Sequence, residues 1–134
     1  MISRVLQLRA DFADLPRLAE WVQAQAPEFA MDARQLYAVQ LCLEEVVANL
    51  VMHAKPGAGP EVAITVRIEA DPLRVTVEDD AIPFDPTVVA LAAVPTTLEE
   101  VSPGGLGLTL VQGFSAWRDY VCEAGRNRLV MGFA

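Results

Sequence analysis

The sequence predicts a two-layer α+β sandwich, in which a mixed, mainly antiparallel sheet carries helices on one of its faces. Segments 61–69 and 73–79 alternate apolar residues with polar or small ones, as strands with one buried face do. Apolar residues recur at helical spacing through 32–54. The predicted order, β-α-α-β-β-connector-α-β-β, is typical of a sheet covered by helices on one side.

The first strand and the first helix are predicted in the N-terminal part of the chain. Residues 2–10 have an imperfect strand-like alternation, and residues 11–26 have the composition of a helix. Either Asp11 or Asp14 can cap this helix, because a carboxylate accepts hydrogen bonds from the unpaired N–H groups of a first helical turn.

The long helix at 32–54 is predicted to begin after Asp32, which has the side chain of an N-cap. The loop at 55–60, which is rich in glycine and proline, ends it. The stripe that this helix turns toward the core is predicted to consist of Leu36, Val39, Leu43, Val46, Val47 and Leu50.

A hairpin follows, since only residues 70–72 separate the strands at 61–69 and 73–79. The connector at 80–104 contains four prolines and is long for a compact domain. Connectors of this length are uncommon unless they bind something or cover a site, so we expect a lid at about 85–104.

The C-terminal part is predicted to contain a third helix and a second hairpin. Residues 105–116 have the pattern of a helix that is opened by glycines. Two apolar segments, 118–123 and 128–133, flank a turn centred on 124–127.

Length and composition indicate a single domain at 1–134 that is large enough to bury a core, with 53% hydrophobic residues. We expect a cytoplasmic protein, because no apolar run reaches the length of a membrane helix and the N-terminus does not resemble a signal peptide. The two cysteines, Cys42 and Cys122, are predicted to be buried reduced thiols. The net charge of −8 disfavours nucleic-acid binding.

The acidic residues are unevenly distributed along the chain. No Lys or Arg occurs between Arg74 and Arg118. This interval carries the six acidic residues Glu78, Asp79, Asp80, Asp85, Glu99 and Glu100. A solvated acidic surface and a site that meets Mg²⁺ or a basic partner both explain such a run.

The long helix contains polar side chains in an apolar segment. Glu45, Asn49 and His53 are spaced four apart, so they lie along one face. A carboxylate and an amide one turn apart can hold a water molecule and Mg²⁺ beside a phosphate. Each residue alone is also explained by ordinary surface or helix-interior roles, and His53 receives no catalytic role.

Two later segments add further candidates. Asp79 ends a predicted strand and can accept a hydrogen bond from an exocyclic amine, with Phe84 as an apolar neighbour of the base. The segment Gly104-Gly105-Leu106-Gly107-Leu108 lies at a helix start, where backbone N–H groups can approach phosphate oxygens. Alone, the glycine segment is better explained by a tight turn with close helix packing, and Asp79 is also explained as a turn residue or a helix cap.

The order of these features resembles the ATP-binding domain of gyrase, histidine kinases and related ATPases, the GHKL superfamily. Within it, the sequence resembles the anti-sigma-factor serine/threonine kinases of bacteria. The matching segments are Glu44-Glu45-Val46-Val47-Ala48-Asn49 with His53-Ala54, Asp79-Asp80-Ala81-Ile82-Pro83-Phe84-Asp85-Pro86, Gly104-Gly105-Leu106-Gly107-Leu108 with Leu110-Val111, and Gly125-Arg126-Asn127.

The resemblance implies ATP and Mg²⁺ as cofactors and a histidine-kinase-like fold. It implies that Glu45 is the general base or positions the attacking group, that Asn49 ligates Mg²⁺, and that Asp79 binds the adenine amine. The nucleotide-binding residues that it implies are Asn49, Asp79, Ala81, Phe84, Gly104, Gly105, Gly107 and Leu108. Ala81 stands where this family usually has glycine.

The resemblance also implies partners and an activity. These are phosphorylation of an anti-sigma-factor antagonist on serine, sequestration of a sigma factor and a possible homodimer. Two alternatives stay open from the sequence: a binding module of the same fold with weak or no ATP turnover, and the catalytic domain of a sensor kinase. The second is disfavoured because His53 lies inside the helix implied to bind ATP, not ahead of this domain.

Overall fold

The computed structural model describes residues 2–57, 59, 61–83, 111 and 113–134. These residues form a five-stranded sheet with two helices against one face. The helices and strands are β1 Ile2–Arg9, α1 Leu15–Gln25, α2 Ala33–His53, β2 Ala63–Ala70, β3 Arg74–Asp79, β4 Trp117–Glu123 and β5 Arg126–Gly132. This architecture confirms the predicted α+β sandwich.

The strands lie in the order β1-β2-β3-β5-β4, and all four described ladders are antiparallel. In the central ladder Val77 lies opposite Leu129, and Asp79 lies opposite Asn127. The register therefore places the last residue of β3 beside the second residue of β5, and it aligns the inward-facing positions of both strands.

Side-chain capping explains where α2 and the short turn before α1 begin, whereas Asp14, the N-cap residue of α1 itself, makes no side-chain capping bond. The Asp32 carboxylate accepts from the Gln35 N–H at 2.7 Å, and the Gln35 side chain returns to the Asp32 N–H at 3.1 Å. This capping box satisfies two of the otherwise unpaired donors of α2. Before α1, Asp11 accepts from the N–H of Ala13 in the short 3₁₀ turn Phe12–Asp14.

The core lies between the helices and the sheet. Helix α2 contributes its central apolar face, and β2, β3 and β5 contribute the side chains that alternate toward it. Its fully buried members include Leu18, Val22, Val39, Leu43, Val47, Ile64, Val66, Ile68, Val75, Val77 and Met131. The predicted stripe of α2 is confirmed at its centre, whereas Leu36 and Leu50 at its ends are only partly buried.

Two predictions about the last hairpin are wrong. The turn consists of Ala124 and Gly125 alone, with φ of 52° and 74°, so Arg126 and Asn127 belong to β5. Two consecutive residues with positive φ are typical of the tight turns that join twisted antiparallel strands. Cys122 is exposed because β4 is an edge strand, whereas Cys42 is buried as predicted.

No helix among the described residues is long and apolar enough to cross a membrane. The expected lid at 85–104 and most of the predicted helix at 105–116 lie outside the described residues. Val111, Gly113 and Phe114 at the end of that helix are helical, as predicted.

Candidate functional site

A cavity of about 210 Å³ opens between the C-terminal half of α2 and the sheet. Its apolar wall comes from helix and strand positions that continue the core: Val46, Leu50, Val77 and Leu129. Its polar lining comes from α2, the loop after it and three strands: Asn49, His53, Lys55, Asp79, Tyr120 and Asn127. Apolar walls with a few converging polar groups are typical of small-molecule sites.

Asp79 is the buried carboxylate of this cavity, with 6% of its surface exposed. Its Oδ1 atom accepts from the Ala81 N–H at 3.0 Å and from the Asn127 amide at 2.8 Å. Within the described part of the chain, no group donates a hydrogen bond to Oδ2. A buried carboxylate oxygen is costly without a donor, so Oδ2 is an acceptor suited to a ligand.

Burial raises the pKa of Asp79 above its ordinary value of 3.8, and the charge of Asp80 acts in the same direction. The hydrogen bonds from Asn127 and Ala81 lower the pKa and so partly oppose burial. A ligand that donates to this carboxylate would stabilise its charged form in the same way.

Asn127 holds Asp79 in position through a short chain of hydrogen bonds. Its amide nitrogen donates both to Asp79 Oδ1 and to the carbonyl of Ala81, at 2.8 and 2.9 Å. Its amide oxygen accepts from the Tyr120 hydroxyl at 2.8 Å. Because Asn127 is itself buried, with 4% exposed, this network holds the Oδ1 atom of Asp79 in place and leaves Oδ2 without a donor among the described residues.

The segment after β3 is fastened to the loop after α2. The Ile82 N–H donates to the Lys55 carbonyl at 2.9 Å, and Ala81 forms an isolated antiparallel bridge with Pro56. A Cβ added at Gly57 would lie 2.7 Å from the Asp80 carbonyl oxygen, so this close approach requires glycine. The loop thereby closes one side of the cavity.

The three polar residues of α2 are placed differently from one another. Asn49 and His53 line the cavity, and Asn49 is buried with 7% exposed. The Asn49 amide nitrogen donates to the Glu45 carbonyl one turn earlier at 2.9 Å, so Oδ1 is the atom that a cation could use. Glu45 is half-buried and is not among the described residues that line the cavity.

Burial raises the pKa of the Glu45 carboxyl group above its ordinary value, and the neighbouring charge of Glu44 adds to this effect. A carboxylate with a raised pKa is a better proton acceptor near neutral pH than an ordinary surface carboxylate.

The structure thus brings together Asn49, Asp79 and Ala81 from the predicted nucleotide-binding set. The remaining members, Phe84, Gly104, Gly105, Gly107 and Leu108, lie outside the described residues, and their roles stay predictions. Sequence reasoning gave no role to Asn127, Tyr120 or Lys55. Asn127 lies two residues before Leu129, so both side chains lie on the same face of a strand. A prediction that began β5 at Arg126 instead of residue 128 would therefore have placed Asn127 on the inward face.

Among the described residues, no three His, Cys, Asp or Glu side chains form a group that could hold a metal ion. The described donor set therefore does not form a cage made of protein ligands only. It fits Mg²⁺ held by one amide oxygen together with phosphates and water, which is how Mg²⁺ is usually bound at nucleotide sites.

Comparisons with known proteins agree with this fold. Residues 8–133 match the family described as Histidine kinase-like ATPase domain. A Bordetella bronchiseptica protein named serine/threonine-protein kinase BtrW is 28% identical over 112 residues, which cover 83% of this chain and 79% of that protein.

Solved structures show the same fold. The RsbU and RsbW domains of a Mycobacterium tuberculosis protein superpose with a TM-score of 0.68 at 14% identity, covering 99% of this chain and 32% of that one. The histidine kinase domain of a blue-light activated histidine kinase from Erythrobacter litoralis has a TM-score of 0.52 at 22% identity, covering 90% and 63%. The resemblance inferred from the sequence is confirmed, and the chain belongs to the family of histidine kinase-like ATPase domains.

Proposed function

We propose that this chain is an ATP-binding serine/threonine protein kinase of the anti-sigma-factor type, which regulates transcription by partner switching. The observation that carries the proposal is the buried Asp79 carboxylate, which lines the cavity and whose Oδ2 receives no hydrogen bond from the described residues. A flat purine with an exocyclic amine fits this combination, because it offers apolar faces and an N–H donor.

The proposed roles follow the positions of the side chains. Asp79 accepts from the adenine amine, and Asn127 and Tyr120 keep its carboxylate oriented. Asn49 supplies an oxygen to Mg²⁺. The remaining proposed nucleotide-binding residues are Ala81, Phe84, Gly104, Gly105, Gly107 and Leu108.

Glu45 is the proposed general base. It accepts the proton of a serine hydroxyl as the hydroxyl oxygen bonds to the γ-phosphorus and the bond from that phosphorus to the bridging oxygen of ADP breaks. Bound Mg²⁺ supplies neutralisation of phosphate charge. Phosphoryl transfer depends mainly on positioning and charge stabilisation, so the few protein groups proposed are sufficient for the reaction class.

The proposed partners are an anti-sigma-factor antagonist, which is phosphorylated on serine, and a sigma factor, which is sequestered. The name of the Bordetella relative, a serine/threonine-protein kinase, supports the reaction class. The net charge of −8 supports regulation through proteins, since an acidic surface repels the nucleic-acid backbone.

A transfer assay tests the function directly. The chain is incubated with Mg-ATP and the purified antagonist protein encoded by a neighbouring gene, and phosphoserine on the antagonist is measured. We expect transfer by the natural chain and a loss of about 10²- to 10⁴-fold in Glu45→Gln, the usual effect of removing a general base. Absence of transfer by the natural chain, with ATP bound, would contradict the kinase proposal.

One observation favours a second candidate, a binding module of this fold with weak or no ATP turnover. Ala81 is buried beside the cavity, so its methyl group occupies space that glycine would leave to a ligand. Calorimetry with ATP and ADP distinguishes the candidates. Micromolar binding that Asp79→Asn weakens at least tenfold, about the loss expected when a hydrogen bond to a charged group is removed, would argue against the binding module.

A further inference from the structure

Two aromatic side chains form an exposed pair away from the cavity. Tyr37 on α2 is 61% exposed, and Phe114 at the end of the last helix is 42% exposed. Their ring centroids are 5.8 Å apart with an angle of 68° between planes, which is an edge-to-face contact. Each ring limits the motion of the other, so the pair is already ordered for contact with a partner.

The pair lies on the partly exposed side of α2, which also carries Glu45. The core-facing residues of α2 are buried and occupy the other side. Leu41 and Glu44, which lie between Tyr37 and Glu45 in the sequence, are half-buried. Tyr37 and Glu45 are eight residues apart, which corresponds to about 12 Å along a helix axis and about 80° around it.

Any protein that delivers a hydroxyl group to Glu45 must cover the surface around that residue. A stable protein–protein interface buries about 800 Å² on each partner, equivalent to a disc of about 16 Å radius. Tyr37, at about 12 Å along the axis, lies within such a disc centred on Glu45. Buried aromatic anchors commonly supply much of the binding energy of an interface.

The charges on this side of α2 indicate what the partner carries. No Lys or Arg occurs between Arg34 and Lys55, whereas Glu44 and Glu45 are adjacent. Arg118 of β4 also lies near this helix, since its charge acts on the Cys42 thiol, and its guanidinium donates to the Ser115 hydroxyl at 2.9 Å. A basic side chain close to the acceptor serine would complement these carboxylates. An apolar side chain would complement the aromatic pair.

We propose that Tyr37 and Phe114 form the docking point for the protein substrate. The occupant is an antagonist-type protein whose acceptor serine is accompanied by one basic and one apolar side chain, the apolar one packing on the aromatic pair. This inference rests on the proposed function, because it assumes that Glu45 receives the serine hydroxyl.

The test measures binding and phosphate transfer separately. The antagonist protein encoded by a neighbouring gene is titrated into the full chain with Mg²⁺ and a non-hydrolysable ATP analogue. We expect Tyr37→Ala and Phe114→Ala each to raise the Kd about 30-fold, the effect of removing an aromatic anchor. ATP affinity and the transfer rate at saturating antagonist should stay unchanged, and Tyr37→Phe should bind as the natural chain does.

The matched control is Phe12→Ala, which removes an aromatic side chain of similar exposure, 56%, from the short turn before α1. It should leave the Kd unchanged. Equal Kd values for the natural chain and Tyr37→Ala would overturn the inference even if phosphate is transferred. Binding that depends on Tyr37 but leads to no phosphate transfer would overturn the kinase proposal and support the docking point.

Two further outcomes would overturn the inference. One is a natural chain that does not bind the antagonist at all, which would also remove the proposed partner. The other is a lower molecular mass of Tyr37→Ala than of the natural chain in sedimentation experiments, which would show that a second copy of this chain covers the aromatic pair.

Discussion

Replacement of Asp79 by asparagine changes one atom of the cavity while the fold keeps its contacts. Oδ1 of the new side chain can still accept from the Ala81 N–H and the Asn127 amide, at 3.0 and 2.8 Å in the natural chain. The other terminal atom becomes an NH₂ group. The Asp79 oxygen that has no donor among the described residues is therefore converted into a donor.

The expected loss of ATP affinity follows from this single change. A hydrogen bond to a charged group contributes about 1.5–3 kcal/mol, and about 1.4 kcal/mol corresponds to a factor of ten, so Asp79→Asn should weaken ATP binding about 10- to 150-fold. Inosine triphosphate carries a carbonyl oxygen in place of the exocyclic amine. The variant should bind it more tightly than the natural chain does.

The ligand-free variant should have a larger free energy of unfolding near neutral pH than the natural chain, although it binds ATP more weakly. Burial raises the pKa of Asp79, so the folded state favours its neutral form. That stabilisation is fully present below the unfolded value of about 3.8 and is lost as the pH rises through the higher folded value. Asparagine cannot ionise, so near neutral pH the variant should resist urea better, and the advantage should vanish on acidification.

Calorimetry with both nucleotides, and urea unfolding at several pH values, measure these effects. Asp80→Asn is the matched control, because its carboxylate accepts from the Ala63 N–H at 2.8 Å and does not line the cavity. ATP affinity that is unchanged in Asp79→Asn, or lowered equally in both variants, would contradict adenine recognition by Asp79.

Three further changes test separate parts of the structure. Glu44→Gln should shift the acidic limb of the pH profile of kcat/KM to lower pH, because the Glu44 charge helps raise the pKa of Glu45; an unshifted profile would exclude Glu45 as the titrating base. Ala81→Gly should destabilise the fold by about 0.5–1 kcal/mol in urea unfolding. It should also strengthen ATP binding in calorimetry if the methyl group crowds the purine. Asp14→Asn should lower stability at neutral pH and flatten its acid dependence, measured by urea unfolding at several pH values. The hydrogen bond from the Arg9 N–H lowers the pKa of Asp14, so its stabilisation is present above the unfolded value and lost as the pH falls through the folded one.

Much of the fold could be predicted because local patterns are strong in this chain. Strict alternation in β2 and β3 predicted which side chains face the core, and the capping residue Asp32 predicted where α2 begins. The boundary of β5 was missed because Arg126 and Asn127 are polar and follow a glycine. Their strand geometry depends on pairing with β3 and β4, which no short window of sequence displays.

The candidate site was predicted only in part for a related reason. The spacing of Glu45, Asn49 and His53 predicts one helical face, and the structure separates its members: Asn49 and His53 line the cavity, whereas Glu45 is not among the described lining residues. Four-residue spacing advances each side chain by about 40° around a helix, so the first and third members diverge.

Residue chemistry and short-range periodicity were sufficient to indicate the helices and the central strands, and the resemblance to the GHKL superfamily implied which acidic, amide and glycine residues bind ATP. They could not show that Asn127, 48 residues after Asp79, holds its carboxylate beside the cavity that both residues line. That contact depends on the antiparallel register of β3 and β5, which follows from burying the inward side chains of both strands against α2.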